Sequence, residues 1–102
     1  IYVSDDFGRT FTEVSQNAAP SAFGFAVAPH PARRDTAFFV PAVKDEARIP
    51  VDGKLVVTRT DDAGASFTRL DAGLPSGPAW DLIYRHGLAI DASGARLAMG
   101  ST

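Results

Sequence analysis

The amino-acid sequence predicts an all-β protein, and three observations support this fold class. Short apolar runs recur along the 102 residues, separated by turn-forming Gly, Pro, Asp and Asn. No segment keeps the spacing of apolar residues that an amphipathic helix requires. One turn sequence occurs twice, 56 residues apart, beginning at Ser4 and at Thr60. Because 45% of the residues are hydrophobic and 22% are charged, the chain has the composition of a folded domain.

The strands are expected in groups of two, four and two. The predicted strands are 1–3, 11–14, 23–28, 37–40, 54–59 and 67–70, followed by a pair within 80–90 and 95–99. β-Branched and aromatic residues in these runs favour extended structure. Pro29 and Pro31 exclude any helical continuation after the third strand. Pro41 is expected to interrupt the fourth strand or to place it at a sheet edge, because proline has no N–H to donate.

The connections follow from turn chemistry and charge. The charged segment 44–48 is predicted to be a solvated loop, and Asp52-Gly53 provides a tight turn before the next strand. Over 80–90 a strand is preferred to a helix, because no helical stripe persists past Gly87. The chain is therefore divided into 1–21, the end of one four-stranded unit; 22–72, a complete unit; and 73–102, the first strands of the next.

The duplicated turn has the pattern hydroxyl, any residue, Asp, any residue, Gly, any residue, hydroxyl, aromatic. The Asp carboxylate and the hydroxyls are expected to accept hydrogen bonds from backbone amides of the loop. The glycine supplies a positive φ, and the aromatic ring should fill the space between neighbouring sheets, worth about 2–3 kcal/mol if fully buried. The structural residues are Ser4, Asp6, Gly8, Thr10 and Phe11 in the first copy, and Thr60, Asp62, Gly64, Ser66 and Phe67 in the second.

A repeat of this length suggests four-stranded units stacked as the blades of a β-propeller. A propeller closes with roughly four to eight blades, whereas this chain holds about two blade equivalents. Stacked repeats bury their apolar faces against neighbours, so the expected partners are further blades of a longer parent chain or identical copies. The chain begins with Ile1 inside a predicted strand, which suggests a fragment.

Both turns resemble the Asp-box, the repeat of bacterial-neuraminidase-type propellers found in sialidases, sortilin-like receptors, some endoglucanases and YVTN-like repeat proteins. The segments 28–31 and 35–38 resemble the stretch between strands of such repeats, and 71–75 resembles the linker after a box. The resemblance covers most of the chain. It implies a partial Asp-box propeller in which the boxes lie on the blade rim, away from any active site.

The predicted function is a scaffold or binding surface for a protein or carbohydrate ligand, with no catalysis and no cofactor in this chain. The alternative is a fragment of a sialidase-like or glucanase-like glycoside hydrolase whose catalytic residues lie outside it. Arg48-Ile49-Pro50 is similar to the Arg-Ile-Pro of sialidases. However, Ala47 stands where a large apolar residue is expected, and 51–53 has the sequence of a turn. The spacing of Glu46, Asp81 and Tyr84 does not indicate that they converge.

Other classes of function have little support. The paired aspartates of each turn lack the further acidic ligands of an EF-hand-like loop, and His30 and His86 have no partner at ligand spacing, so no metal site is predicted. A net charge of −2, with Arg33-Arg34 as the one adjacent basic pair, argues against nucleic acid. No apolar run approaches the roughly 20 residues of a membrane span, so a soluble protein is expected. The chain has no cysteine, and its compartment stays open.

Overall fold

The computed structural model describes residues 1–102, which form nine β-strands and two short 3-10 helices, at Ser15–Asn17 and Val51–Gly53. The strands are β1 (Tyr2–Val3), β2 (Thr12–Glu13), β3 (Gly24–Pro29), β4 (Ala37–Lys44), β5 (Ala47–Pro50), β6 (Val57–Thr60), β7 (Thr68–Leu70), β8 (Leu88–Ile90) and β9 (Leu97–Met99). Every strand pair is antiparallel, and the all-β prediction is confirmed. The structure has no helix with the length and apolarity required to cross a bilayer.

The strands form three sheets in chain order. β1 and β2 make a hairpin, β3-β4-β6-β7 make a four-stranded meander, and β8 and β9 make a second hairpin. In the meander, Phe38 of β4 lies opposite Ala28 of β3 on one side and Arg59 of β6 on the other. The predicted grouping of two, four and two strands is therefore present, with β5 added along the far end of β4.

β4 continues through Pro41 to Lys44, and the predicted interruption there was wrong. The Ala42 amide donates to the Phe23 carbonyl at 3.1 Å, on the β3 side of the strand. Because successive amides alternate sides, the Pro41 nitrogen faces the opposite edge. On that edge the pairing with β6 ends at Phe39 and the pairing with β5 starts at Ala42. Proline occupies a position where β4 changes partner, so its missing N–H costs no ladder hydrogen bond.

One other expectation was also wrong. The segment 44–48 is not only a loop, because its last residues enter β5 and pair back onto β4; the Arg48 Nε donates to the Asp45 carboxylate across the turn at 2.9 Å. The strand pair predicted within 80–90 and 95–99 is confirmed as β8 and β9, although the strand within 80–90 covers only Leu88–Ile90. The residues before it are irregular, and the Gly87 amide closes a turn onto the Tyr84 carbonyl at 2.7 Å.

The core lies on one face of the meander and extends into the last hairpin. It is a single cluster of seven buried residues: Ala26, Ala28, Phe38, Val40, Val57, Ile83 and Leu88. Ala26 and Ala28 are small, which leaves space above β3 for Ile83 and Leu88. Strand alternation directs Val27 and Phe39 to the opposite face of the same sheet. That opposite face looks toward the β1–β2 hairpin and borders the candidate site.

Candidate functional site

The first Asp-containing turn joins β1 to β2 and is held by one carboxylate and one hydroxyl. Asp6 Oδ1 accepts from the Thr10 amide at 2.9 Å and the Arg9 amide at 3.0 Å, while Oδ2 accepts from the Thr10 hydroxyl at 2.7 Å. The Ser4 hydroxyl donates to Asp6 at 2.9 Å and accepts from the Gly8 amide at 2.7 Å. The two side chains thus satisfy loop amides that the β-ladder leaves unpaired.

The second turn, between β6 and β7, repeats this arrangement. Asp62 accepts from the Ser66 amide at 2.8 Å and from the Ser66 hydroxyl at 2.6 Å. The Thr60 hydroxyl donates to Asp62 at 2.9 Å and accepts from the Gly64 amide at 2.8 Å. Gly64 has a φ of +87°, and the equivalent Gly8 has a φ of +81°. The hydroxyl and carboxylate groups therefore make matching hydrogen bonds in both copies. One bond differs: the Arg9 amide donates to the Asp6 carboxylate, whereas its counterpart, the Ala65 amide, donates to the backbone carbonyl of Asp62 at 3.2 Å.

These hydrogen bonds favour the ionised carboxylates. Donation from Thr10 lowers the pKa of Asp6 from 3.8 to about 2, although the residue is only partly buried. The pKa of Asp62 is also lowered, first by the Ser66 hydroxyl. Both aspartates act as hydrogen-bond acceptors inside their own loops. This occupation leaves them poorly suited to act as proton donors or as free metal ligands.

The two aromatic residues of the turns have different environments. The prediction that Phe11 fills the space between sheets was wrong, because 64% of its surface is exposed. Phe67 is partly buried, with its ring centroid 5.7 Å from that of Phe39. The difference arises because the meander supplies a neighbouring strand beside β7's turn, whereas no strand covers the corresponding side of the first turn.

A third turn of this kind joins β8 to β9 and was not identified from the sequence motif. Asp91 accepts from the Ala95 amide at 3.0 Å, from the Arg96 amide at 3.1 Å and from the Ser93 hydroxyl at 2.8 Å. The hydrogen bond from Ser93 is the main cause of the lowered pKa of Asp91. Here Gly94 follows the aspartate by three positions rather than two, so the motif does not match; an Asp followed by Ser and Gly after an apolar run is the signal available.

The first hairpin is fastened to the second turn. Val14 lies directly against Gly64, where a Cβ on the glycine would stand 2.6 Å from a Val14 methyl. The Asn17 side-chain amide donates to the Gly64 carbonyl at 3.0 Å. Val14 is buried and follows β2 immediately. The position of the β1–β2 hairpin beside the meander therefore depends on close contact at one glycine.

Above this contact, a cleft of about 890 Å³ separates the first hairpin from the meander. Tyr2, Val3 and Phe7 line one wall, and Val27 and Phe39 line the other. Phe7 is fully exposed and Val27 is 49% exposed. The walls are thus largely apolar and partly uncovered. The cleft lies beside β1, which pairs with β2 alone and so has one free edge. An apolar cleft beside a free strand edge suits an extended backbone with alternating apolar side chains.

The rim of the cleft carries charged and hydroxyl groups. The Thr36 hydroxyl donates to Asp61 at 3.0 Å, and Asp61 also pairs with Arg59 at 2.6 Å. In the first turn the corresponding aspartate is Asp5, which is exposed and makes no ion pair or side-chain hydrogen bond. No hydroxyl of the same chain donates to Asp5 in the way that Thr36 donates to Asp61.

The β1–β2 hairpin repeats the β6–β7 hairpin at the same 56-residue interval as the turns. The corresponding cross-strand pairs are Tyr2–Glu13 with Thr58–Arg69, and Val3–Thr12 with Arg59–Thr68. β1 is therefore the counterpart of β6. β6 is paired on both edges, by β4 and β7, whereas β1 is paired only by β2. The free edge of β1 is the edge that β4 covers on β6.

The β8–β9 hairpin likewise repeats the β3–β4 hairpin. The corresponding pairs are Leu88–Met99 with Val27–Phe39, Ala89–Ala98 with Ala28–Phe38, and Ile90–Leu97 with Pro29–Ala37. The turns close alike, since the Asp91 amide donates to the Arg96 carbonyl as the His30 amide donates to the Thr36 carbonyl. β9 is thus the counterpart of β4. One edge of β4 pairs with β6, and the corresponding edge of β9 has no partner strand.

The structure does not bring the other candidate residues together. No three acidic or histidine side chains form a group that could hold a metal ion. The His30 Nδ1 accepts from the Ala32 and Arg33 amides at 3.1 Å, which makes it a turn residue. Asp81 accepts from Ser101, Tyr84 packs edge-on against Phe25, and Arg48 is paired with Asp45. These contacts lie in separate parts of the surface.

Comparisons with known proteins add no family to these observations. A scan against models of protein families gave no match, and a search of curated proteins found no significantly similar sequence.

Proposed function

We propose that this chain is a segment of an Asp-box β-propeller that serves as a scaffold or binding surface and has no catalytic site of its own. The observation that supports this most strongly is the pair of Asp-containing turns, which make matching hydrogen bonds at the same place, between β1 and β2 and between β6 and β7. In this proposal the meander β3-β4-β6-β7 is a blade, β1–β2 ends the preceding blade and β8–β9 begins the next.

The stacking of the sheets supports the same proposal. Blades of a propeller pack face to face, each meander against its neighbour. Here the last hairpin inserts Leu88 into the cluster formed by Ala26 and Ala28 on one face of the meander. The first hairpin lies on the opposite side, in contact at Gly64. The meander thus lies between two hairpins that repeat its own halves.

A scaffold role accounts for the chemistry of the conspicuous residues. The carboxylates of Asp6 and Asp62 are engaged by their own loops, so the repeated motif stabilises turns rather than substrates. The glycosidase candidates from the sequence, Glu46, Asp81 and Tyr84, do not line the cleft. The hydrolase alternative gains no specific observation from the arrangement. Binding would use the exposed cleft and the outer faces of the hairpins.

The stacking can be tested by NMR spectroscopy of the chain in solution. We expect nuclear Overhauser effects between the Leu88 methyl groups and the methyl groups of Ala26 and Ala28, because these side chains share one cluster. The Ala89 methyl group is the internal control, since it projects from the other face of β8 and should show no such effect. Effects from Ala89 in place of Leu88 would contradict the proposed stacking.

The absence of catalysis can be tested on a panel of chromogenic α-sialosides and β-glucosides. We expect no turnover above that of a heat-denatured sample of the same preparation. Turnover that disappears in Asp81→Asn or Glu46→Gln, with the fold retained by circular dichroism, would overturn the scaffold proposal in favour of a hydrolase.

A further inference from the structure

We propose that a second copy of this chain pairs edge to edge with the first, β9 of one copy against β1 of the next, and so completes a four-stranded sheet β8-β9-β1-β2 in trans. This rests on the proposed function and deepens it: identical copies, rather than further blades of a longer chain, supply the strands that complete the two partial blades. The two free edges are counterparts of the edges that meet within the meander, where β4 pairs with β6. Each copy thus holds both halves of a meander in addition to a complete one.

The internal pairing sets the register of the external one. In the meander, Ala37, Phe38 and Phe39 lie opposite Thr60, Arg59 and Thr58. Substituting the counterparts in β9 and β1 gives three cross-strand pairs between copies: Leu97 with Ser4, Ala98 with Val3, and Met99 with Tyr2. Tyr2, which is 64% exposed, then gains an apolar cross-strand neighbour in Met99, which already packs against the core cluster.

Charge complementarity supports the same register. At the end of the meander pairing, the Thr36 hydroxyl donates to Asp61. The counterpart of Thr36 is Arg96, and that of Asp61 is Asp5; both are exposed, and neither makes an ion pair within the chain. Docking would place the Arg96 guanidinium beside the Asp5 carboxylate of the second copy. Between copies, Arg96 and Asp5 would therefore take the places that Thr36 and Asp61 have within one chain.

The cleft also offers an apolar face against which the β8–β9 hairpin of a second copy could pack. Leu88 is 7% exposed because it packs on the small residues of β3, whereas its counterpart Val27 is 49% exposed beside the cleft. The outward face of the β8–β9 hairpin carries Ala89 and Ala98, both small and exposed. Inserted into the cleft of a second copy, this face would meet Val27 and Phe39, as the alanine face of β3 meets Leu88 within one chain. The contact between Leu88 and the alanines of β3 would thus have an equivalent between copies.

Sedimentation velocity across a concentration series tests the pairing. We expect the wild-type chain to assemble into species larger than 10.8 kDa. Arg96→Glu alone, or Asp5→Arg alone, should weaken assembly about fivefold or more, because each places like charges opposite one another. An equal mixture of the two variants should recover assembly, because at every contact between one variant and the other a cation again faces an anion. A wild-type chain that stays monomeric, or a mixture no better than its components, would overturn the proposal.

Disulfide trapping tests the register separately. The chain has no cysteine, so Val3→Cys combined with Ala98→Cys introduces the only thiols. Directly opposed residues in an antiparallel pair lie within the Cα separation that a disulfide accepts. We expect intermolecular crosslinks under mild oxidation, and few with Glu13→Cys combined with Ala98→Cys, because β2 lies beyond β1. Equal yields from the two variants, or the reverse preference, would overturn the register.

The two proposals fail in different ways. A monomeric chain that retains the Leu88 to Ala26 contact would overturn the pairing of copies and leave the stacked-blade proposal intact. Loss of that contact in a folded chain would count against the blades themselves.

Discussion

Each of the three Asp-containing turns concentrates its hydrogen bonds on a single carboxylate, which links folding to pH. The pKa of Asp6 is about 2 in the folded chain, against 3.8 as its ordinary value. Below pH 4 the unfolded chain binds protons at this position before the folded chain does, so stability falls as the pH falls. The contribution is complete above about pH 4 and is lost as the pH approaches 2. The pKa values of Asp62 and Asp91 are also lowered, so these residues contribute in the same direction.

We therefore expect the urea midpoint of unfolding to fall between pH 4 and pH 2. Asp6→Asn should lower the midpoint at pH 7 and reduce its dependence on pH in the acid range, because the lowered pKa is removed. Glu46→Gln is the matched control, since Glu46 is exposed and accepts no hydrogen bond. An Asp6→Asn variant with the same acid dependence as the wild type would contradict the assignment.

Gly64 combines a left-handed backbone with a crowded environment, and the two effects can be separated. Gly64→Ala should destabilise the chain by about 1–2 kcal/mol for the backbone conformation and by about 1–3 kcal/mol more for overpacking against Val14. Gly8→Ala has nearly the same φ, but its added Cβ would lie 3.6 Å from Phe11, an ordinary contact. It should show the backbone cost alone. Chemical denaturation measures both, and equal losses would contradict the importance of the Val14 contact.

At the residue scale, the sequence predicted chemistry better than environment. The carboxylate, hydroxyl and glycine of each turn act locally, within a few positions, and their hydrogen bonds follow from residue type. The exposure of Phe11 does not follow from residue type, because it depends on whether another strand lies beside the turn. The turn at Asp91 was missed for a similar reason: one extra residue before Gly94 changes the motif without removing the carboxylate's acceptor role.

At the scale of elements, strand positions were largely predictable and partners were not. The runs around β3, β4, β6 and β7 have a strong local preference for extended structure. The continuation of β4 through Pro41 required knowledge of where its neighbours end. β5 was not predicted from the sequence, because its residues are mostly exposed and lie next to charged residues. Pairing along a strand edge depends on backbone geometry that composition does not record.

The irregular segment before β8 shows that packing does not require a strand. Ile83 is 1% exposed and joins the core although it belongs to no sheet. Ile83→Ala should destabilise the chain by about 2–5 kcal/mol. Val43→Ala is the control, because Val43 is 39% exposed and should change stability by about 0.5 kcal/mol or less. Equal effects of the two substitutions on thermal unfolding would show that this segment is not packed as described.

At the scale of the whole molecule, the repeat was visible in the sequence, but its consequences were not. The 56-residue interval relates two turns and two hairpins, which residue types alone suggested. The second correspondence, between β8–β9 and β3–β4, was expected from the division of the chain at residue 73, but its residue-by-residue alignment becomes apparent only from cross-strand register and turn closure. The cleft likewise depends on the space between elements, which no local pattern encodes.

The free edges of β1 and β9 have a geometric consequence for any assembly of copies. They are different surfaces, so their contact is heterologous and leaves one edge open at each end of a dimer. Every added copy is related to the last by the same rotation and translation. If the translation along the rotation axis is zero and the rotation divides a full turn, the assembly closes into a ring; otherwise it grows as a helical fibre.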